Sequence, residues 1–243
     1  MSKQLTKGTV SLLQSAIDVA TILGIEKMVI DPHSLRGESK DNGTFMLLPF
    51  PDGTELEFGS MGISRIPVLN QRLRLIGDEG ALVPEYKDRD NGDKFVFRIV
   101  LKKKNTKIDF KCADPAHIRA PKAFNDPDYF AFTVTAEDIQ LMLKAKAAMQ
   151  SENVSFASKD GKSVKFSISA SEGDVLEHEL ESELDTKTPS DTFASSYKSK
   201  ILFPVLKQIS DDAKEAPVEI TLTKRGIMKI EVNDIPTYIF PEV

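Results

Sequence analysis

Few residues in this chain have the type and spacing that chemistry demands. The string Asp160-Gly161-Lys162-Ser163 matches the end of a phosphate-binding loop, G-x-x-x-x-G-K-[ST], but the position of its first glycine is Phe156. Without that glycine the backbone cannot cradle a phosphate, and Asp160-Gly161 between two alternating segments reads as a hairpin turn. His33, His117 and His178 are far apart, and none has a second His or Cys at ligand spacing, so no zinc site is expected. Cys112 stands alone and reads as a small buried apolar residue. The pairs Asp126/Asp128 and Asp211/Asp212 could hold Mg²⁺ or act as acid and base in a carboxylate-metal hydrolase, yet they fall in expected loops, where carboxylates are ordinary. No catalytic constellation, metal or cofactor is predicted, and a binding or scaffold role is favoured over an enzyme.

The elements that would position a binding surface come in two sets. From Leu5, Val10, Leu13, Ile17 and Ala20 recur at helical spacing, with Thr6 as N-cap and Gly24 as stop. From Val134 the design repeats: Thr135 caps, Asp138 completes a capping box, and Ile139, Met142 and Leu143 form the stripe. Ile66–Gln71 and Phe203–Gln208 share Pro-Val-Leu-x-Gln, and Pro67 and Pro204 are each expected in the first turn of a helix. Ile66, Leu69, Leu73 and Ile76 make one stripe, and Phe203, Leu206 and Ile209 the other. Each set continues into short alternating strands and closes with a hairpin-like pair. Helical periodicity repeats apolar spacing but not a Pro-Val-Leu-x-Gln string, so a tandem duplication is predicted. Residues 1–112 and 133–243 form its two α+β domains, and proline-rich 113–132 connects them.

With 243 residues, 40% apolar and 28% charged, the chain is large enough for two folded domains and has no apolar run long enough to cross a bilayer. A non-apolar N-terminus and one cysteine predict a reducing, cytoplasmic setting, where the sequons at Asn42 and Asn153 carry no sugar. The net charge of −5 argues against nucleic acid on a plain count. Its distribution argues otherwise. Cations cluster at Arg65/Arg72/Arg74, Lys102–Lys104, Lys144/Lys146 and Lys198/Lys200/Lys207, whereas 174–185 is almost purely acidic.

Two tandem copies of a two-helix, multi-strand domain joined by a proline-rich connector resemble a DNA sliding clamp. The ending KIEVNDIPTYIFPEV is similar to the C-terminus of the proliferating cell nuclear antigen family, and LTKGTVSLLQSAIDVATILG, TAEDIQLMLKAKAAMQ and CADPAHIRAP are similar to clamps of tailed bacteriophages. The resemblance implies a homotrimeric ring around duplex DNA, partnered by a DNA polymerase and a clamp loader. It implies sequence-independent phosphate contacts from Lys7, Arg72, Arg74, Lys144, Lys146, Lys198, Lys200 and Lys207 on the inner helices. The first helix departs from that pattern, offering Asp18 mid-way and no cation. A partner-peptide pocket is implied at Ile118, Pro121, Phe124, Tyr238, Phe240 and Pro241. Subunit pairing is implied between 106–113 and 174–184, through Lys107, Ile108, Phe110, Lys111, Leu176, His178, Leu180 and Glu181. In the second strand, alternation places Leu176, Leu180 and Leu184 opposite Glu177, Glu179, Glu181 and Glu183. The competing reading is a duplicated α+β structural or scaffold protein of a phage that holds no DNA.

Overall fold

The computed structural model describes residues 5–41, 43–50, 58–77, 80–120, 126–180, 185–186, 192–213 and 217–242. It is α+β and falls into two units, 1–124 and 125–243. Among the described residues no helix is long and apolar enough to cross a membrane.

The first unit comprises α1 (Lys7–Ile22), β1 (Lys27–Asp31), β2 (Ser34–Glu38), β3 (Thr44–Pro49), β4 (Ser60–Ser64), α2 (Ile66–Ile76), β5 (Ala81–Asp88), β6 (Lys94–Lys103) and β7 (Thr106–Lys111). Thr6 caps α1 by accepting from the Thr9 amide, and Leu13, Ala16, Ile17, Val19 and Ala20 bury its inner face. Arg65, in the left-handed region at φ 63°, turns the chain from β4 into α2, where Pro67 occupies the first turn as expected. All four residues of the predicted stripe, Ile66, Leu69, Leu73 and Ile76, are buried. The strands run in the order β3-β2-β1-β4, and β6 carries β5 on one side and β7 on the other. A short parallel pairing of Ser60 and Met61 with Phe95 and Val96 joins these two groups.

The second unit comprises β8 (Asp128–Val134), α3 (Ala136–Met149), β9 (Asn153–Ser158), β10 (Lys165–Ser169), β11 (Val175–Glu179), β12 (Asp185–Thr186), β13 (Phe193–Lys198), α4 (Ser199–Ala213), β14 (Val218–Thr223), β15 (Met228–Val232) and β16 (Ile235–Ile239). Here too four strands are ordered β11-β10-β9-β13, and a three-strand meander, β14-β15-β16, follows the second helix. These seven strands follow the order of the first unit's seven, so that topology occurs twice, while β8 and β12, beyond β14, have no counterpart strand among the described residues of the first unit. The predicted Thr135/Asp138 capping box is present at α3. Asp160 makes the expected turn between β9 and β10, its side chain accepting from the Lys162 and Ser163 amides at 2.9 and 3.0 Å. Phe132 and Phe166 are buried against Phe156, and Phe156 in turn against Tyr197, whose hydroxyl donates to the Gly226 carbonyl at 2.6 Å.

Two expectations need correction. Pro204 does not begin α4 but lies inside it, because β13 runs straight into the helix at Ser199 and Leu202 and Phe203, just ahead of the proline, are already buried. The helix therefore lacks one amide, the one that would reach the Lys200 carbonyl. The connector is also less free than 113–132 suggested. The Ala113 amide donates to the Gly62 carbonyl at 2.8 Å, a 3₁₀ turn follows at Pro115–His117, and 128–132 belong to β8. Gly62 is what allows this: a Cβ there would stand 2.6 Å from the Ala113 oxygen and 2.9 Å from Ile118 Cδ1.

Candidate nucleic-acid interface

Burial of the α2 stripe leaves Arg72 and Arg74 off its apolar face, but neither guanidinium is idle. Arg72 Nη1 donates to the Asp109 carbonyl at 3.0 Å and stands over the Phe110 ring at 5.7 Å. Arg65 does the same two residues along β7, reaching the Lys111 carbonyl at 3.3 Å and standing 5.1 Å from the Phe110 ring. Arg74 Nε donates to Asn70 Oδ1, and buried Asn70 donates in turn to Asp18 Oδ1 at 3.2 Å and Thr21 Oγ1 at 3.0 Å. Asp18 thus ties α1 to α2, which accounts for an acid where the clamp pattern suggests a cation. Lys7 is exposed at the start of α1, on a groove of about 520 Å³ lined also by Val10, Gln14 and Leu73.

In the second unit Lys144 and Lys207 are exposed, off their helices' buried faces as expected. Lys146, Lys198 and Lys200 converge on one cleft of about 390 Å³. Lys146 Nζ stands 5.4 Å over the Phe203 ring, Lys198 pairs with Glu242 at 3.0 Å, and Lys200 is exposed in the first turn of α4. Lys198 precedes that helix as the last residue of β13.

The two strands expected at the subunit interface are each paired, among the described residues, on one side only: β7 with β6 and β11 with β10. The Cys112 amide donates to the Phe97 carbonyl, which points the amides and carbonyls of the even residues of β7 at β6 and turns those of Lys107, Asp109 and Lys111 outward. Two of those three outward carbonyls are the ones held by Arg72 and Arg65. Lys107 and Lys111 are exposed and Ile108 is half-buried. Phe110 is 0% exposed, so it belongs to its own unit's core and not to an interface. On β11, Val175 is 57% exposed, Glu177 and Glu179 are exposed, and Leu176 is half-buried. Leu180 is 3% exposed, and its amide donates to the Val164 carbonyl at 2.9 Å, so it too is core. Glu181, Glu183 and Leu184 lie outside the described residues.

His178 was expected at the interface, but its Nε2 lies 2.8 Å from Oδ1 of Asp138, which is 5% exposed. Burial would raise the Asp138 carboxyl, but the Thr135 hydroxyl, His178 and the Thr135 amide outweigh it and hold it below the usual carboxylate range. Nothing local in the sequence announced this pair.

Of the residues assigned to a peptide pocket, Pro121 and Phe124 lie outside the described residues. Ile118, half-buried, packs against β4 at Gly62 in the first unit. In the second unit Tyr238 is buried, a correction to its role as a pocket surface, while Phe240 and Pro241 are half-buried beyond the end of β16. Burial pushes the Cys112 thiol up to about 12, which keeps it protonated and unreactive at neutral pH. Asp128 pairs with Lys229 at 3.0 Å. Among the described residues no group of three or more His, Cys, Asp or Glu could hold a metal ion. In comparison with known proteins, the chain matches no family model and no curated protein.

Proposed function

We propose that this chain is one subunit of a trimeric sliding clamp, a ring that encircles duplex DNA and tethers a DNA polymerase after a clamp loader has placed it. The observation that carries the reading is the repetition of one topology: in each unit four strands in the same order, two packed helices, and a three-strand meander. A closed ring needs repeated units with complementary edges. Complementarity is supplied by charge, with Lys107 and Lys111 exposed on β7 and Glu177 and Glu179 exposed on β11. Such a ring would hold DNA by topology, so its phosphate contacts need only be weak, and the exposure of Lys144 and Lys207 supports them as the source. The half-buried Phe240 and Pro241 near the end of the chain are the surface offered to polymerase peptides.

The test is topological. The chain is assembled from dissociated subunits in the presence of circular duplex DNA, moved to high salt, and the DNA is then linearised or left intact. A sliding ring stays on the circle and leaves the linear form. Equal loss from both forms would support the scaffold alternative.

A further inference from the structure

The cleft at the start of α4 has the chemistry of an anion site. Ser199, the first residue of the helix, lines it and is 2% exposed, and its buried Oγ has no hydrogen-bond partner among the described residues. A buried hydroxyl without a partner is rare, because its desolvation goes uncompensated. The Ser199 amide donates to the Glu152 carbonyl at 2.7 Å, but the next two amides of a helix have no acceptor within it. The residue ahead is Lys198, whose ammonium cannot accept a hydrogen bond, and the first turn carries no acidic side chain. The positive end of a 15-residue helix therefore opens on this cleft without an acidic group of its own. Lys146 is steadied by the Phe203 ring, Lys200 is exposed, and Glu242 is already paired with Lys198. Among the described residues that line the cleft, Glu152 is the remaining carboxylate, so there the cations exceed the acids.

We propose that this cleft binds a phosphate group, whose oxygens accept from the Ser199 hydroxyl and the first-turn amides, with Lys146 and Lys200 flanking it. A serine hydroxyl rotates about one bond and can turn its hydrogen to an anion, and helix N-termini favour phosphate for the same electrostatic reason. At about 390 Å³ the cleft admits a phosphate still attached to a larger molecule. That molecule is either a nucleic acid, whose backbone phosphate enters the cleft, or a free phosphorylated compound. The first case deepens the DNA reading at one place, but the site does not depend on a ring.

Inorganic phosphate is titrated into the full chain at constant ionic strength, with chloride as the balancing anion, and binding is read by calorimetry and by the unfolding temperature. Saturable binding is expected in the wild type, weakened about tenfold in Ser199→Ala and in Lys200→Gln. Ser199→Ala is the sharper variant: deleting an unpartnered buried hydroxyl leaves the unliganded protein at least as stable, so lost binding cannot be ascribed to unfolding. Duplex DNA then separates the two sources. Weaker DNA binding by Ser199→Ala assigns the phosphate to a backbone, and unchanged DNA binding assigns it to a free compound. Equal phosphate binding in wild type and both variants would mean an adventitious ion only and would overturn the proposal, as would a response that chloride reproduces. Failure of the ring, seen in mass or in DNA retention, leaves phosphate binding standing.

Discussion

Arg72 reaches from α2 to the outer edge of β7 and donates to the Asp109 carbonyl at 3.0 Å. A side chain expected to face DNA is thus spent in part on covering a strand edge, together with Arg65 at the Lys111 carbonyl.

Arg72→Ala should therefore act chiefly on stability, lowering it by about 1–2 kcal/mol in urea unfolding through a lost charged hydrogen bond and a ring contact. Its effect on DNA binding should be smaller than that of Lys144→Ala with Lys207→Ala, which should reduce the log–log salt slope by about two. The opposite ranking of slopes would place Arg72 on the DNA and the two lysines elsewhere.

The charge on the two edge strands can be exchanged. Glu177→Lys with Glu179→Lys should dissociate the proposed ring, and adding Lys107→Glu with Lys111→Glu should restore it in the same chain. Sedimentation reads both outcomes; no rescue would mean that β7 and β11 do not meet. Leu180 is unsuited to this purpose, since truncating so buried a leucine should cost about 2–5 kcal/mol of its own unit's stability.

Asp138 titrates below its ordinary value when folded, the Thr135 and His178 bonds outweighing burial. A carboxyl so depressed stabilises the fold above its unfolded value, near 3.9, and loses that contribution as pH falls through the folded value. Asp138→Asn should lower stability by about 1 kcal/mol at pH 7 and flatten the decline of the unfolding midpoint below about pH 4. Parallel acid profiles for variant and wild type would remove Asp138 from that decline.

At Gly62 an added methyl would meet main chain on one side and Ile118 on the other. Gly62→Ala should cost about 1–3 kcal/mol by overpacking, visible in chemical denaturation. Changing Ile118 to Ala in the same chain should recover part of it, whereas additive losses would show that the two residues do not press on each other.

Much of this fold was legible because local pattern and packing agree. The stripe Ile66, Leu69, Leu73, Ile76 needed only its period, and the Thr135/Asp138 cap only its spacing. Pro204 misled because a proline signals a helix start only when nothing upstream is buried, and here Leu202 and Phe203 are. Phe110 and Leu180 misled for a different reason. Alternation along a strand assigns residues to two faces without saying which face the unit's own helices cover. The off-stripe position of Arg72 signalled a polar side chain, but the carbonyl that it reaches is 37 residues away in sequence. His178 and Asp138, 40 residues apart, meet only because β10 carries β11 toward the start of α3.

The ring is tested most directly by the mass of the purified chain in solution, measured by sedimentation equilibrium over a range of concentrations. The account predicts a species of three times 26.9 kDa that dissociates to single chains on dilution or on reversal of the β11 charges. A mass that stays at 26.9 kDa, or stops at twice that value, at every concentration would contradict it.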